Sequence, residues 1–192
     1  MAPTRKQISD VNTLRALAHP LRVRLLGALR LDGPATASEL GRRFGESSGS
    51  TSYHLRQLER FGFVVEDDEQ PSRRERRWRA AHDVTSFRPA DFLEQAAGRE
   101  ALEVMDKEWL RFLVDTVQAW NRERDNWPRE WVEAADRSDL LMRLRPGDLA
   151  QLSQELLDVA RRWAGNQRSE DDPEARQVIV NILATPVAGG VP

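Results

Sequence analysis

Small hydroxyl residues, followed by residues that can read base edges, occupy one short stretch of the sequence. Residues 47–52 read SSGSTS, and a tyrosine, an arginine and a glutamine follow them. Hydroxyl side chains and free backbone N–H groups at the start of a helix are good phosphate ligands. Arginine pairs with guanine and glutamine with adenine in the major groove, and tyrosine and threonine can contact thymine methyl groups or phosphate. The side chains predicted to contact double-stranded DNA are Ser48, Ser50, Thr51, Ser52, Tyr53, Arg56 and Gln57.

A second cluster, of cations, lies between residues 73 and 77, where the sequence reads RRERR. Arginines on a hairpin can lie along a DNA backbone or enter a minor groove. The alternative is a hairpin whose alternate arginines simply face water. The DNA interpretation adds four contacts: Arg73, Arg74, Arg76 and Arg77.

Hydrophobic spacing around these clusters predicts four helices and a two-stranded hairpin. Leu55 and Leu58 anchor the fourth helix to a core, and Trp78 lies on the buried side of the hairpin. His19 is expected to cap a helix or to pack between helices. His54 is expected to pack and to form hydrogen bonds rather than to read bases or bind a ligand. The predicted helices span 10–18, 20 to a stop at 32–34, 36 or 38 to 44, and 47–61, and the strands span 63–65 and 73–80.

These segments carry a family resemblance. Residues 14–26, LRALAHPLRVRLL, resemble the opening helices of arsenic-repressor-like (ArsR-type) winged helix-turn-helix regulators. Residues 52–64, SYHLRQLERFGFV, resemble their recognition helix and following strand, and 73–78 their wing. The resemblance covers residues 10–82 and implies a DNA-binding fold. The rest of the chain more weakly resembles the dimerisation and sensing extensions of actinobacterial members.

Many members of that family resemble one another in sensing metals, but this sequence lacks the ligands. Residues 38–44, SELGRRF, contain no ligand pair on the third helix, and no histidine follows His82. The chain has no cysteine, which excludes thiolate sites and disulfides. We therefore expect no metal and no cofactor.

The second half of the chain predicts one long helix over 90–126, with a possible break near Gly98. Its apolar residues recur at alternating spacings of three and four, which is typical of a heptad seam and predicts a homodimer. A short helix to residue 135, a strand over 140–144, a helix over 146–163 and a strand over 178–183 are expected to follow. The seam residues are Leu102, Met105, Trp109, Phe112, Thr116 and Ala119.

Five of the six tryptophans lie in this second half. One interpretation is an aromatic pocket for a small apolar effector. The alternative is plain packing, in the core or along the dimer seam. The pocket would be lined by Trp109, Phe112, Trp120, Trp127 and Trp131.

Charge and motifs narrow the possible functions. Residues 1–88 carry 16 Lys and Arg against 11 Asp and Glu, whereas residues 89–192 carry 13 against 20, so only the first part is basic. No motif of a nucleophile, a phosphate loop or a catalytic triad is present, and Glu100, Glu103 and Glu108 are expected on a solvated helix face. We expect no enzyme activity. No apolar run is long enough for a membrane helix, so we expect no membrane partner. The absence of cysteine fits a reducing cytosol, and we expect a cytoplasmic location.

The sequence thus predicts a mainly α protein with a small β component (α+β). Its expected parts are a winged helix-turn-helix domain over 10–88, a long dimerisation helix over 89–127 and a small C-terminal α/β region over 128–192. The leading hypothesis is a homodimeric, sequence-specific transcriptional regulator that binds double-stranded DNA. The alternative is a winged-helix scaffold for protein interactions that does not bind DNA.

Overall fold

The computed structural model describes residues 4–68, 76–166, 168 and 172–187. The chain forms two compact units, one of residues 4–114 and one that begins at residue 115. The mainly helical fold with a small sheet component agrees with the expected class. No helix of the described residues is both long and apolar enough to cross a membrane.

Four helices of the first unit lie where hydrophobic spacing predicted them, and their caps explain where they begin. They are α1 (Val11–Leu17), α2 (Pro20–Leu31), α3 (Ala37–Phe44) and α4 (Ser48–Arg60). The Asp10 carboxylate accepts from the Thr13 N–H at 2.9 Å, and the His19 Nδ1 accepts from the Leu21 N–H at 3.2 Å. These side chains satisfy N–H groups that a helix leaves without a partner. His19 therefore caps a helix, as the sequence indicated.

The hairpin is present, and three further strands accompany it. The strands are β1 (Arg5–Gln7), β2 (Ala35–Thr36), β3 (Val64–Glu66), β4 (Arg77–Ala80) and β5 (Val84–Ser86). Antiparallel pairing gives the order β2-β4-β3, whereas β1 pairs in parallel with β5. Strands of two or three residues are too short for an alternating pattern, so β1, β2 and β5 went unpredicted. Residues 73–75 of the predicted returning strand lie outside the described residues.

The core of the first unit fixes the position of α4. Leu55 and Leu58 are completely buried, together with Leu14 and Leu25 from α1 and α2. Trp78 on β4 is also buried, as predicted. Side chains from helices and hairpin therefore share one apolar core.

The long helix α5 (Ala96–Glu123) starts later than predicted and passes through Gly98 without a break. A 3-10 turn, Pro89–Phe92, precedes it and places Phe92 in the core. A Cβ at position 98 would lie only 2.3 Å from the Phe92 carbonyl oxygen. The helical stretch expected over 90–126 is interrupted at residues 93–95, so a break occurs near Gly98 but not at it. Gly98 itself permits close packing against Phe92 rather than a bend.

In the unit that begins at residue 115, the regular elements among the described residues are all helices. The end of α5 leads into a 3-10 turn, Arg124–Asn126, then α6 (Arg129–Ala134) and α7 (Pro146–Ala164). The strands predicted over 140–144 and 178–183 are wrong, because these described residues form no strand. Apolar residues form a strand only when a neighbouring strand pairs with them. The expected domain limits at 88 and 127 stay predictions.

Candidate nucleic-acid interface

Helices α3 and α4 are joined by a tight turn, which sets the angle of α4. Gly45 adopts φ 70°, a left-handed conformation that glycine tolerates best. The Glu46 N–H donates to the Gly41 carbonyl at 2.8 Å, and a Cβ at Gly41 would lie 2.8 Å from the Glu46 carbonyl oxygen. Backbone packing of this closeness holds α4 in one orientation relative to α3.

The start of α4 is capped by its own serines. The Ser47 Oγ accepts from the Ser50 N–H at 3.1 Å. Thr51 is completely buried, and its hydroxyl donates to the Ser47 carbonyl at 3.0 Å. The expectation that Thr51 lies on a free face was therefore wrong. Its side chain is used inside the helix-turn-helix, where it fills the space next to Gly41.

The remaining predicted residues of α4 stay accessible. Ser48, Tyr53 and Arg56 are exposed, Tyr53 with 59% of its surface in solvent. Ser50, Ser52 and Gln57 are half-buried. Since Leu55 and Leu58 face the core, one side of α4 is anchored while the other presents hydroxyl, phenol, guanidinium and amide groups. Their contacts with DNA stay a prediction.

His54 joins α4 to the start of α2. Its ring lies 4.4 Å from that of His19, and Tyr53 meets it edge-on at 5.2 Å. Burial lowers the pKa of His54, and the nearby His19 and Arg22 lower it further against the effect of Glu46. Burial and then Arg22 also lower the pKa of His19, opposed by Glu46 and Glu108. Burial therefore disfavours the charged form of both imidazoles. His54 packs as expected, but its buried Nδ1 has no hydrogen-bond partner among the described residues, so the expected hydrogen bonding is absent at this atom.

The two described arginines of the wing, Arg76 and Arg77, make different contacts. Arg76 is exposed and forms an ion pair with Glu66 at 2.7 Å. Arg77 instead donates from Nε and Nη2 to the Pro34 carbonyl, at 3.1 and 2.9 Å. Arg77 therefore ties β4 to the segment before β2, and a prediction of pure phosphate contact missed this structural role. Arg73 and Arg74 lie outside the described residues.

One carboxylate on α5 departs from its expected place. Glu108 was predicted on a solvated face, but only 4% of it is exposed. Both of its carboxylate oxygens accept from Arg111 Nη1, at 2.7 and 2.9 Å. Arginine compensates the buried charge, as burial requires. Among the described residues, no group of three or more histidine, aspartate or glutamate side chains is placed to hold a metal ion.

The aromatic residues predicted to line a pocket fall into two sets. Within the unit that begins at residue 115, the ring of Trp127 lies 5.8 Å from Trp120 and 6.0 Å from Trp131. Trp109 and Phe112 lie on α5 within residues 4–114, and each is more than a third exposed. Three of the five rings therefore form one cluster, and a shared pocket for all five stays a prediction.

Comparison with known proteins gives one domain match. Residues 17–67 match a family described as a helix-turn-helix domain, and these residues include α2, α3, α4 and β3. No curated protein matches the chain.

Several solved structures resemble the chain in part. HlyU from Vibrio cholerae N16961 is 28% identical, over 35% of this chain and 68% of HlyU, with a TM-score of 0.31. The ArsR family transcriptional regulator RHA00566 is 25% identical, over 57% of this chain and 89% of that protein, with a TM-score of 0.31. The transcriptional regulator Tm0710 from Thermotoga maritima is 15% identical, over 81% and 86% of the two chains, with a TM-score of 0.33.

The fold and the domain match together show what the protein contains. It has a helix-turn-helix domain over residues 17–67, followed by the hairpin of β3 and β4 as in a winged helix-turn-helix fold. Its sequence motifs and the order of its first elements are ArsR-like, as the resemblance of residues 10–82 implied.

Proposed function

We propose that this protein acts as a homodimer that binds an inverted repeat in double-stranded DNA and thereby regulates transcription. The observation that carries the proposal is the two-sided character of α4. Leu55 and Leu58 are buried, whereas Tyr53 and Arg56 are exposed on a helix held by the turn at Gly45. A helix anchored in this way can enter the major groove without distortion of the core.

The proposed contacts divide into those that read bases and those that position the protein. Arg56 and Gln57 would contact base edges, and Tyr53 a thymine methyl group or a phosphate. Ser48, Ser50 and Ser52, near the N-terminus of α4, would bind phosphate oxygens. The wing would contact the backbone through Arg76 and, outside the described residues, Arg73 and Arg74. Thr51 is omitted because it is buried.

The homodimer is supported by apolar side chains that the chain leaves in water. Trp109, Leu110 and Val114 on α5 are exposed, as are Leu156 and Trp163 on α7. Amphipathic helices bury such faces against another surface, and an isologous pair of copies is the commonest oligomer of soluble proteins. Leu102 and Met105 of the predicted seam pack instead on the core of their own unit. The proposed dimer contact therefore starts near Trp109.

Two finer points complete the proposal. A small apolar molecule would act as effector by contacting the cluster of Trp120, Trp127 and Trp131. The protein would act in the cytoplasm, because the DNA that it binds lies there in bacteria, and it would need no catalysis.

Selection of bound fragments from genomic DNA tests this function, with Arg56→Ala as the informative variant. We expect the wild-type protein to select an inverted repeat with half-sites about 34–36 Å apart. Arg56→Ala should lose about 1–3 kcal/mol of discrimination at one base position of each half-site. Arg129→Ala, which removes an exposed arginine of α6, is the matched control and should select the same sites.

Two results would contradict the proposal. A footprint over one unsymmetrical half-site would contradict the dimer arrangement. Absence of binding to any fragment, at low and at moderate salt, would favour a winged-helix scaffold for protein interactions.

A further inference from the structure

A cleft on the first unit collects arginines from three helices. It lies between α1, the first turn of α2 and the C-terminal half of α4. Its charged residues are Arg15, Arg22 and Arg60, and the amides of Asn12 and Gln57 lie beside them. No single stretch of sequence contains this cluster, since its members come from positions 12 to 60. The tertiary fold alone brings them together.

The charge of this cleft is not compensated by the residues that line it. None of these residues is an aspartate or a glutamate. Among the described residues, no carboxylate forms an ion pair with Arg15, Arg22 or Arg60. Positive groups that converge without a counter-charge favour binding of an anion.

Arg22 adds an unsatisfied donor. Its Nε is buried and has no hydrogen-bond partner. Burial also lowers the pKa of Arg22. A buried N–H without an acceptor is costly, and this cost would be removed if the guanidinium turned toward an anion in the cleft that Arg22 lines. The planar fork of a guanidinium matches the oxygens of a phosphate group, which is why arginine is common in phosphate sites.

The cleft continues the exposed side of α4. Arg60 follows Tyr53 by seven residues and Arg56 by four, so the three side chains share one side of the helix. Gln57 belongs both to this side and to the cleft. If α4 enters a major groove, the strand that borders the groove passes next to its C-terminal half.

One neighbouring feature limits the role of Arg15. A second depression, lined by Asp10 and Asp91, also includes Arg15. Arg15 therefore lines both the cleft and a depression that contains two carboxylates, whereas Arg22 and Arg60 line only the cleft. Arg22 and Arg60 are the residues to test.

We propose that the cleft of Arg22 and Arg60 is a phosphate-binding site that receives a backbone phosphate of DNA next to α4. The claim that the phosphate belongs to DNA rests on the proposed function. The claim that the cleft binds phosphate does not. The proposal extends the expected DNA-contacting surface from α4 and the wing to the junction of α1 and α2. It also assigns a role to two arginines that were not among the predicted DNA contacts.

The first experiment measures DNA affinity against salt for the full chain and for Arg22→Gln, Arg60→Gln and the double variant. One lost phosphate contact should lower the slope of log affinity against log salt by about 0.9. We expect this change in the double variant, with an affinity loss on specific and non-specific duplexes alike. Arg22→Lys should keep a salt slope closer to that of the wild-type protein than Arg22→Gln does, because lysine retains the positive charge. Arg137→Gln, which removes an exposed arginine after α6, is the matched control.

The second experiment separates the two possible sources of phosphate without DNA. Melting temperatures are measured with inorganic phosphate and with chloride at equal ionic strength. A rise in the wild-type protein that the double variant lacks supports a phosphate site. If the double variant then keeps the wild-type DNA slope, the phosphate is a free anion and the DNA source is wrong.

Other outcomes are equally decisive. An unchanged DNA slope together with no response to phosphate overturns the proposal. If the wild-type protein binds no duplex, the proposed function fails, and the melting experiment still decides the chemistry of the cleft. Circular dichroism of each variant checks that a change in affinity does not reflect a loss of fold.

Discussion

The two units of the molecule differ in whether they bury their own apolar side chains. Every buried hydrophobic residue of the described chain lies at or before Leu102. After Val114 no described residue is buried, although Leu140, Leu141 and Trp163 are apolar and between 71% and 81% exposed. The first unit therefore encloses a core of its own. The second presents helices whose apolar faces remain in water.

This difference indicates which apolar side chains would gain stability from contact with another protein surface. Burial of apolar area yields roughly 25 cal/mol per Å², so exposed tryptophan and leucine leave considerable stabilisation unused. Exposed patches of this kind mark interaction sites in soluble proteins. The first unit therefore has an apolar core of its own, whereas the described residues after Val114 leave apolar side chains available for the proposed dimer contact.

The largest expected effect is in the core of the first unit. Leu55→Ala should lower the free energy of unfolding by about 3 kcal/mol, because it leaves a cavity among completely buried side chains. Leu140→Ala, the matched change at an exposed residue, should alter it by less than about 0.5 kcal/mol. Urea unfolding at low protein concentration measures both. Equal effects would contradict the contrast between the units.

The next effect concerns association. Trp109→Glu should raise the dissociation constant of the dimer at least about tenfold, because a charge would enter an apolar contact. Lys107→Glu places the same charge on an exposed position of α5 and should change it much less. Sedimentation equilibrium over a range of concentrations measures the constant. A wild-type protein that stays monomeric at high concentration would contradict the proposed dimer.

A smaller effect separates two arginines of the wing. Arg77→Ala should destabilise the fold by about 1–2 kcal/mol, because the Pro34 carbonyl loses a charged donor. Arg76→Ala should leave stability nearly unchanged, since its ion pair with Glu66 is exposed, but should lower the salt slope of DNA binding by about 1. Thermal unfolding and salt-dependent binding distinguish them. The reverse assignment of the two effects would show that Arg77 is the phosphate contact.

A further effect is the pH dependence of stability in the first unit. Since folding lowers the pKa of His19 and His54 below 6.5, the unfolded chain binds more protons as the pH falls past that value. Stability is therefore fully present above pH 6.5 and decreases below it. His54→Gln should make this decrease shallower between about pH 7 and 5.5.

The control for this pH effect is Asp10→Asn. The Asp10 carboxylate has its pKa lowered by hydrogen bonds from Thr13, so it titrates at a more acidic pH. It should leave the slope above about pH 5.5 unchanged. An identical slope in wild type and His54→Gln would show that the stacked imidazoles do not cause it.

The smallest expected effect concerns the tryptophan cluster of the second unit. Apolar dyes should quench intrinsic fluorescence if the cluster binds an effector, and Trp127→Phe should reduce the response because Trp127 contacts both other rings. Trp78→Phe would alter the core, so Trp163→Phe, an exposed tryptophan of α7, is the suitable control. Flat titrations over a broad panel of dyes would mean that the cluster only packs.

The elements that could be predicted from the sequence are those that contain their own signals. Capping residues, the glycine at position 45 and leucines at helical spacing predicted α1 to α4 closely. Elements that depend on a distant partner could not be predicted in this way. The parallel pair of β1 and β5 joins residues about 80 positions apart. The strands expected over 140–144 and 178–183 did not form, because no strand pairs with these described residues.

The candidate site shows the same division. The exposed residues of α4 could be inferred from their position opposite Leu55 and Leu58. The burial of Thr51 could not, because it depends on how closely Gly41 approaches the following turn. The inward bonds of Arg77 to Pro34 likewise depend on the pairing of β2 with β4.

The sequence by itself determined the class of the protein, because helix periodicity, caps and turn residues are local properties. Only the tertiary structure decided which polar side chains remain available to a ligand. It buried Thr51 and Glu108, directed Arg77 inward and assembled Arg22 and Arg60 in one cleft. The physical reason is that exposure and charge compensation depend on neighbours that lie far apart along the chain.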